Sequence, residues 1–145
     1  MKASVSIVLC TYNGAKYIRE QLNSILAQTY PLYEIIVQDD HSTDNTVEII
    51  QEYASRHNII KVFQNDSERG VNGNFVSAMQ RATGDYIAIS DQDDIWETDK
   101  IENQMKSIGK NLLCSGFSRP FSTDGSFAYF DHRKRNVNVV RMCFL

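Results

Sequence analysis

A doubly wound, mostly parallel α/β sheet with helices on both faces is the fold class this sequence predicts. Three observations predict it. Apolar runs of strand length alternate with stretches of helical spacing, the connections between them are short, and polar, acid-bearing segments follow the strand-like runs.

The elements follow in order. Val5-Ser6-Ile7-Val8-Leu9-Cys10 is a near-continuous apolar run, the signature of a parallel strand covered on both faces. Residues 15–28 carry Ile18, Leu22, Ile25 and Leu26 at helical spacing, and Pro31 closes that stretch. Glu34-Ile35-Ile36-Val37-Gln38 reads as a second strand. Asp44-Asn45-Thr46 offers a cap for a helix carrying Val47, Ile50, Tyr53 and Ala54. Residues 59–63 read as a third strand. Residues 74–82 form a third helix, with Phe75, Met79 and Ala82 on one face and Gly84 after its end. A fourth strand at 86–89 precedes a fourth helix at 98–108, with Ile101, Met105 and Ile108 inward and Gly109 closing it. Residues 112–115 make a short fifth strand. Beyond Gly116 the pattern becomes a polar, turn-rich segment at 118–125, then Phe127-Ala128-Tyr129-Phe130 and a basic cluster, His132-Arg133-Lys134-Arg135.

Composition narrows the function classes. A chain of 145 residues fits one domain with a real core, and 42% hydrophobic with 23% charged residues is ordinary for a soluble protein. A net charge of −3 carries no nucleic-acid signature. The apolar run near Met1 is too short for a signal-peptide core or a membrane span. Three cysteines cannot all pair within the chain; Cys10 and Cys114 sit in apolar runs as small core residues, and Cys143 is unassigned. Reduced thiols and a cytoplasmic location are expected, including the inner face of the membrane.

In open α/β sheets, ligands sit outside the carboxyl ends of the strands. Those ends carry Thr11-Tyr12-Asn13-Gly14, Asp39-Asp40-His41-Ser42, Asp66-Ser67-Glu68-Arg69-Gly70 and Asp91-Gln92-Asp93-Asp94. The last group carries the strongest chemistry. Two carboxylates about 4 Å apart repel by roughly 4 kcal/mol near a protein surface. A hard divalent cation relieves that repulsion and can hold a phosphorylated ligand. If residues 91–93 stay extended, Asp91 and Asp93 point to one side and Asp94 to the other. The alternative is an acidic loop that starts a helix.

Other groups have two readings each. Asp39-Asp40 suits a nucleobase edge or a ribose hydroxyl, and equally a turn before a helix. Thr11, Tyr12 and Asn13 supply a hydroxyl, a ring and a turn for the same ligand, or a plain strand-to-helix turn around Asn13-Gly14. Arg69-Gly70 with Asn74 suits a diphosphate, or Arg69 is a solvated loop residue. Trp96 either leans on a ligand or closes the core edge. His41, His57 and His132 lack ligand spacing. No GxxxxGK[ST], no GxGxxG after the first strand and no GxSxG is present, which argues against a P-loop nucleotidase, a dinucleotide-dependent dehydrogenase and an α/β-hydrolase elbow.

Three segments together resemble family 2 glycosyltransferases. Ser6-Ile7-Val8-Leu9-Cys10-Thr11-Tyr12-Asn13-Gly14 with Ser24-Ile25-Leu26-Ala27-Gln28-Thr29-Tyr30 is similar to that family's opening. Glu34-Ile35-Ile36-Val37-Gln38-Asp39-Asp40-His41-Ser42-Thr43-Asp44-Asn45-Thr46 resembles its second signature. Ala82-Thr83-Gly84-Asp85-Tyr86-Ile87 leading to Asp91-Gln92-Asp93-Asp94-Ile95-Trp96 resembles its third, especially in bacterial rhamnosyltransferase-like members. The likeness runs through roughly the first 110 residues, in order.

The resemblance implies a GT-A, Rossmann-like fold and a UDP-, dTDP- or GDP-sugar donor. It also implies Mg²⁺ or Mn²⁺, an inverting transfer, and a glycan or lipid-linked acceptor in bacterial surface polysaccharide synthesis. By position it puts Thr11 and Tyr12 beside the base and ribose, Asp40 on the base and Arg69 on the diphosphate side, while Asn13 and Asp39 are expected to bind substrate from their place at the strand ends. Asp91, Asp93 and Asp94 would hold metal, with Asp91 and Asp93 also facing the donor. Residues 1–115 would be the donor-binding domain, and 116–145 the start of an acceptor-side region cut short in the apolar run Val139-Val140-Arg141-Met142-Cys143-Phe144-Leu145.

The family's general base lies further downstream, and neither Asp124 nor Asp131 sits in a matching motif. The expectation is donor binding with slow transfer, peripheral membrane association and pairing of two copies. The alternative is a non-catalytic nucleotide-sugar-binding domain. A phosphate-accepting signalling domain is disfavoured because Lys110, ahead of Leu112, does not follow a late strand facing the acids.

Overall fold

Four of the apolar runs pair into one parallel sheet in the computed structural model, which describes residues 2–117 and 137–138. The elements are β1 (Val5–Thr11), α1 (Ile18–Leu26), β2 (Glu34–Asp39), α2 (Thr46–Arg56), β3 (Ile60–Gln64), α3 (Val71–Met79), β4 (Tyr86–Asp91) and α4 (Lys100–Ile108). The sheet order is β3-β2-β1-β4. Every residue of β1 and β2 is buried, so these strands read as continuous apolar runs rather than as alternation.

Alternation still divides β1 between two faces. Val5, Ile7 and Leu9 pack with Ile18, Leu22 and Ile25 of α1, Ile50 of α2, and Ile101 and Ile108 of α4. Val8 and Cys10 pack with Ile36, Ile87, Ala78 and Ala82 on the α3 side. Right-handed crossovers dictate this division. The chain steps from β1 to β2 to β3 with α1 and α2 on one face. Its return to β4, on the far side of β1, carries α3 over the other face. Strand order therefore reverses between β1 and β4, which opens a crevice at their carboxyl ends.

Element ends differ from the sequence reading for local reasons. Helix α1 starts at Ile18 because the Gly14 carbonyl accepts hydrogen bonds from the Tyr17 and Ile18 N–H groups in a tight turn. Helix α3 starts at Val71, earlier than expected, because Gly70 turns the chain at φ 100, a conformation that favours glycine. The Asp44 carboxylate accepts the Thr46 N–H at 3.0 Å and so caps α2 from one residue outside. The strand expected at 112–115 does not form, and Leu112 stays 71% exposed. A short apolar run has no buried face to join there. Instead β5 (Gly116–Phe117) pairs antiparallel with β6 (Val137–Asn138), apart from the main sheet.

Cys10 is buried and Cys114 half-buried at the core edge. Burial, reinforced by the charges of Asp91 and Asp40, pushes the Cys10 thiol up, so it stays protonated and inert. No helix among the described residues is long and apolar enough to cross a membrane. The turn-rich 118–125 segment, Phe127 to Phe130, the basic cluster, Asp124, Asp131 and Cys143 lie outside the described residues.

The amino edge of the sheet carries a buried acid. The Glu34 carboxylate accepts from Ser6 Oγ at 2.7 Å, Lys61 Nζ at 2.7 Å and Thr83 N–H at 2.6 Å. It thereby ties β1, β2, β3 and the turn before β4 together. Burial raises its carboxyl, but these donors outweigh that and hold it down at about 2.

Candidate functional site

Strand register brings the polar ends to one edge. Thr11 lies opposite Asp39, Asp39 opposite Gln64, and Cys10 opposite Asp91. The loops after β1 and β2 are then laced to each other. Thr11 Oγ1 donates to Asp39 Oδ1 at 2.8 Å, and Ser42 N–H donates to Asp39 Oδ2 at 2.7 Å. Asn13, held at φ 48, accepts the Thr43 N–H on its side-chain oxygen at 2.8 Å. Gly14 N–H donates to Thr46 Oγ1, and Ala15 N–H to Asp44 Oδ2.

This changes what these residues do. Thr11 and Asp39 are each 2% exposed and engage one another, so they shape the crevice from beneath. Asn13 is a loop tie. Tyr12, next to the strand end, offers a large apolar surface at 52% exposure.

Asp40 clasps the next loop. Its carboxylate accepts from Asn65 Nδ2 at 2.7 Å and from the Gly70 N–H at 2.8 Å, while Arg69 Nη2 donates to its carbonyl at 3.3 Å. Burial raises the Asp40 carboxyl, yet these hydrogen bonds and the Arg69 charge win and hold it below the usual carboxylate range. Each carboxylate oxygen keeps a second lone pair for a ligand donor. Arg69 is 62% exposed along its side chain and reaches the same edge.

Asn74 does not join it. It is buried, with Gln38 Nε2 donating to its Oδ1 and its own Nδ2 donating to the Gln38 carbonyl, so it pins α3 to β2 instead of facing a diphosphate. Asp40→Ala is expected to cost about 1–3 kcal/mol of local stability at the 65–70 loop. Faster exchange of the Gly70 amide would register it, and unchanged protection would remove Asp40 from this role.

The acidic segment corrects the extended reading. Strand β4 ends at Asp91 and the chain turns at Gln92 and Asp93. Asp91 and Asp93 are exposed and Asp94 is half-buried. Desolvation by the surrounding chain at the strand end, then Asp94, then Asp93 raise the Asp91 carboxyl. The pleat argument needs an extended chain, and the turn at Gln92 and Asp93 removes that premise. Asp94 has Lys100 as a cationic neighbour, and the Lys100 ammonium lies 4.1 Å from the Trp96 ring centroid. Trp96 itself is buried in the core, with its backbone N–H donating to Ser24 Oγ, which settles it as a core-edge residue.

Two functional contributors escaped the sequence reading. Asn65, at the end of β3, organises the Asp40 loop; the Asn-x-Ser spacing of an Asx turn was the available signal, since Asn65 Oδ1 accepts the Ser67 N–H. Gln92 is the other. Its Oε1 accepts the Tyr12 N–H and its Nε2 donates to the Tyr12 carbonyl, both at 2.9 Å. No periodic signal marks an amide between two carboxylates.

Among the described residues, no three His, Cys, Asp or Glu side chains converge as a metal cluster. The expected Asp91, Asp93 and Asp94 set is therefore not assembled as a three-ligand cluster. The donor chemistry nevertheless fits a hard divalent cation that takes one or two carboxylates and completes its shell with ligand phosphates and water. Desolvation raises both the Asp91 and the Asp94 carboxyls, with the neighbouring acids adding to it, and a cation would offset that negative charge.

Comparison with known proteins gives a consistent picture. The family model described as glycosyl transferase family 2 matches residues 6–143. WfgD of Escherichia coli, named as a UDP-Glc:alpha-D-GlcNAc-diphosphoundecaprenol beta-1,3-glucosyltransferase, is 37% identical over 75% of this chain and 42% of its own length. TuaG of Bacillus subtilis (strain 168), which bears the name of a teichuronic acid biosynthesis glycosyltransferase, is 37% identical over 81% of this chain and 46% of its own. The chain thus spans less than half of either relative.

Among solved structures, the mannosyltransferase PcManGT from Pyrobaculum calidifontis, in complex with GDP-Man and Mn²⁺, superposes with a TM-score of 0.74 at 28% identity, covering 83% of this chain and 36% of that one. S. aureus TarS 1-349 in complex with UDP-GlcNAc gives 0.66 at 30% identity, covering 82% and 37%.

Proposed function

Because the chain belongs to glycosyltransferase family 2, we propose that it binds a nucleotide-diphosphate sugar in the crevice between β1 and β4 and transfers the sugar, with inversion, to an acceptor hydroxyl. One observation carries this reading. The exposed Tyr12 ring and the exposed carboxylates of Asp91 and Asp93 meet at the strand-order reversal, joined through Gln92. An apolar face beside a concentrated negative charge suits a ligand that carries a base at one end and a cation-bound diphosphate at the other.

The residues then divide the work. Tyr12 stacks on the base, and Asp40 accepts from its edge or from the ribose. Thr11, Asn13 and Asp39 keep that pocket in shape from behind. Arg69 pairs with the phosphate oxygens as a planar donor. Asp91, assisted by Asp93, would hold Mg²⁺ or Mn²⁺, with Asp94 partly balanced by Lys100. When bound, the cation supplies Lewis-acid neutralisation of the departing nucleoside diphosphate. The acceptor hydroxyl attacks from the opposite face and needs a general base to take its proton.

The names and contents of the relatives support the donor class and the metal. WfgD's name also supports a lipid-linked acceptor; surface polysaccharide synthesis, at the inner face of the membrane, is the role we propose with it.

Calorimetry with UDP, dTDP and GDP, each with Mn²⁺ and with chelator, tests the reading. One nucleotide should bind preferentially and more tightly with Mn²⁺. Tyr12→Ala should weaken it by about 1–3 kcal/mol, the usual worth of a base–aromatic stack. Equal affinity in chelator overturns the metal role, and no binding of any nucleotide overturns the donor site.

A further inference from the structure

We infer that Gln92 is a positioning residue that couples the base side of the site to its acidic side, an assignment that rests on the donor-site reading above. Backbone pairing between β1 and β4 runs through Cys10 opposite Asp91, after which the β4 backbone turns away. The Gln92 side chain takes over at that point. Its amide accepts from the Tyr12 N–H and donates to the Tyr12 carbonyl at 2.9 Å each, so one side-chain group meets both backbone groups that a parallel neighbour would meet with two separate peptide groups. A carboxamide is the side-chain group that copies a peptide in both directions, and a Glu in its place would lack the donor. The ladder is thereby extended past the end of the strand by a side chain. Tyr12 is locked to the residue that lies directly between Asp91 and Asp93.

Gly14 is the matching half of this device. A Cβ built at position 14 would lie 2.2 Å from Gln92 Oε1 and 2.6 Å from Gln92 Cδ. Gly14 is not among the glycines with positive φ, which are Gly70 and Gly109. Space for the amide, and not backbone conformation, therefore calls for glycine there. The obstructing atoms belong to the far end of a flexible side chain, so an alanine at 14 would displace Gln92 and leave the fold standing.

The consequence is that nucleotide and cation bind as one event. With the amide in place, the ring that stacks on the base and the carboxylates that face the cation share one rigid connection. Without it, each loop is positioned separately.

The test is a double-mutant cycle read by calorimetry, using UDP (or whichever nucleotide binds best) with Mn²⁺ and with chelator. Gln92→Met keeps the volume and removes both hydrogen bonds. It should lower Mn²⁺-supported nucleotide affinity about tenfold, the scale of two net hydrogen bonds. Affinity in chelator should change much less, and the melting temperature should hold.

Gly14→Ala should reproduce that pattern. Added to Gln92→Ala, it should have almost no further effect. Exchange of the Tyr12 amide should speed up in Gln92→Met and in Gly14→Ala alike. Wild-type Mn²⁺ enhancement in Gln92→Met, or a full additional loss when Gly14→Ala is added to Gln92→Ala, overturns the coupling. A wild-type chain that binds no nucleotide overturns the donor-site reading instead.

Discussion

Replacing Asp91 with asparagine is expected to lower sugar transfer by about a hundredfold or more while leaving the fold intact. Neutralising charge on a departing diphosphate is worth several kcal/mol in the transition state, and Asp91 is the acid at the very end of β4, opposite Cys10 in the register. Its ionised form is disfavoured in the folded chain by burial and by the charges of Asp94 and Asp93. An amide of the same shape relieves that repulsion. The melting temperature of Asp91→Asn should therefore stay level or rise as activity falls, the opposing signs that mark a functional and not a structural acid. Release of nucleoside diphosphate from a panel of donor sugars, with a lipid extract as acceptor, measures the first quantity, and a thermal melt the second. Transfer within a few-fold of wild type would take Asp91 out of the site.

The second large effect concerns Glu34. Removing one partner of a buried ion pair costs about 3–5 kcal/mol when the other stays buried. Lys61 is 51% exposed along its side chain and can recover water, whereas the Ser6 hydroxyl and the Thr83 N–H lose their acceptor. Glu34→Ala should thus destabilise by about 2–3 kcal/mol.

The pH dependence has a definite sign. The folded carboxyl is lowered from 4.5 to about 2, so its contribution is complete above about pH 4.5 and disappears as pH falls through 2. That span corresponds to roughly 3 kcal/mol by linkage. Urea melts of wild type and Glu34→Gln between pH 5 and pH 2 should converge as pH drops. A gap that stays constant would mean the carboxylate is not the species that holds the sheet together.

Much of the fold was legible because burial on both faces writes itself into composition. The runs at Val5–Thr11 and Glu34–Asp39 are buried throughout, with polar residues mainly toward their ends, since helices cover each side. The same rule misled at 112–115, where Leu112 and Leu113 form an apolar run with no face to bury.

The site was legible in place but not in role. Asp39, Asp40, Asp91 and Asp93 stand at strand ends as expected, and residue type alone cannot separate an acid that serves its own loop from one left for a ligand. Asp39 meets Thr11 and Ser42, and Asp40 meets Asn65 and Gly70, because tertiary register brings those donors within reach. Local spacing does not encode that. Gln92 was invisible for the same reason, since its partner is a backbone 80 positions away.

The strand order β3-β2-β1-β4 also sets a timetable for synthesis on the ribosome. By the time Gln64 has emerged, β1, β2 and β3 can pair, but one edge of β1 and the apolar face bearing Val8 and Ile36 are still bare. A parallel partner cannot arrive until its whole crossover exists. At about 5–20 residues per second, the stretch from Gln64 to Asp91 leaves that edge uncovered for roughly 1–5 s. An open apolar edge is a pairing hazard. The half of the site that faces the base is thus laid down first, and the acids join it only when β4 seals the nascent sheet.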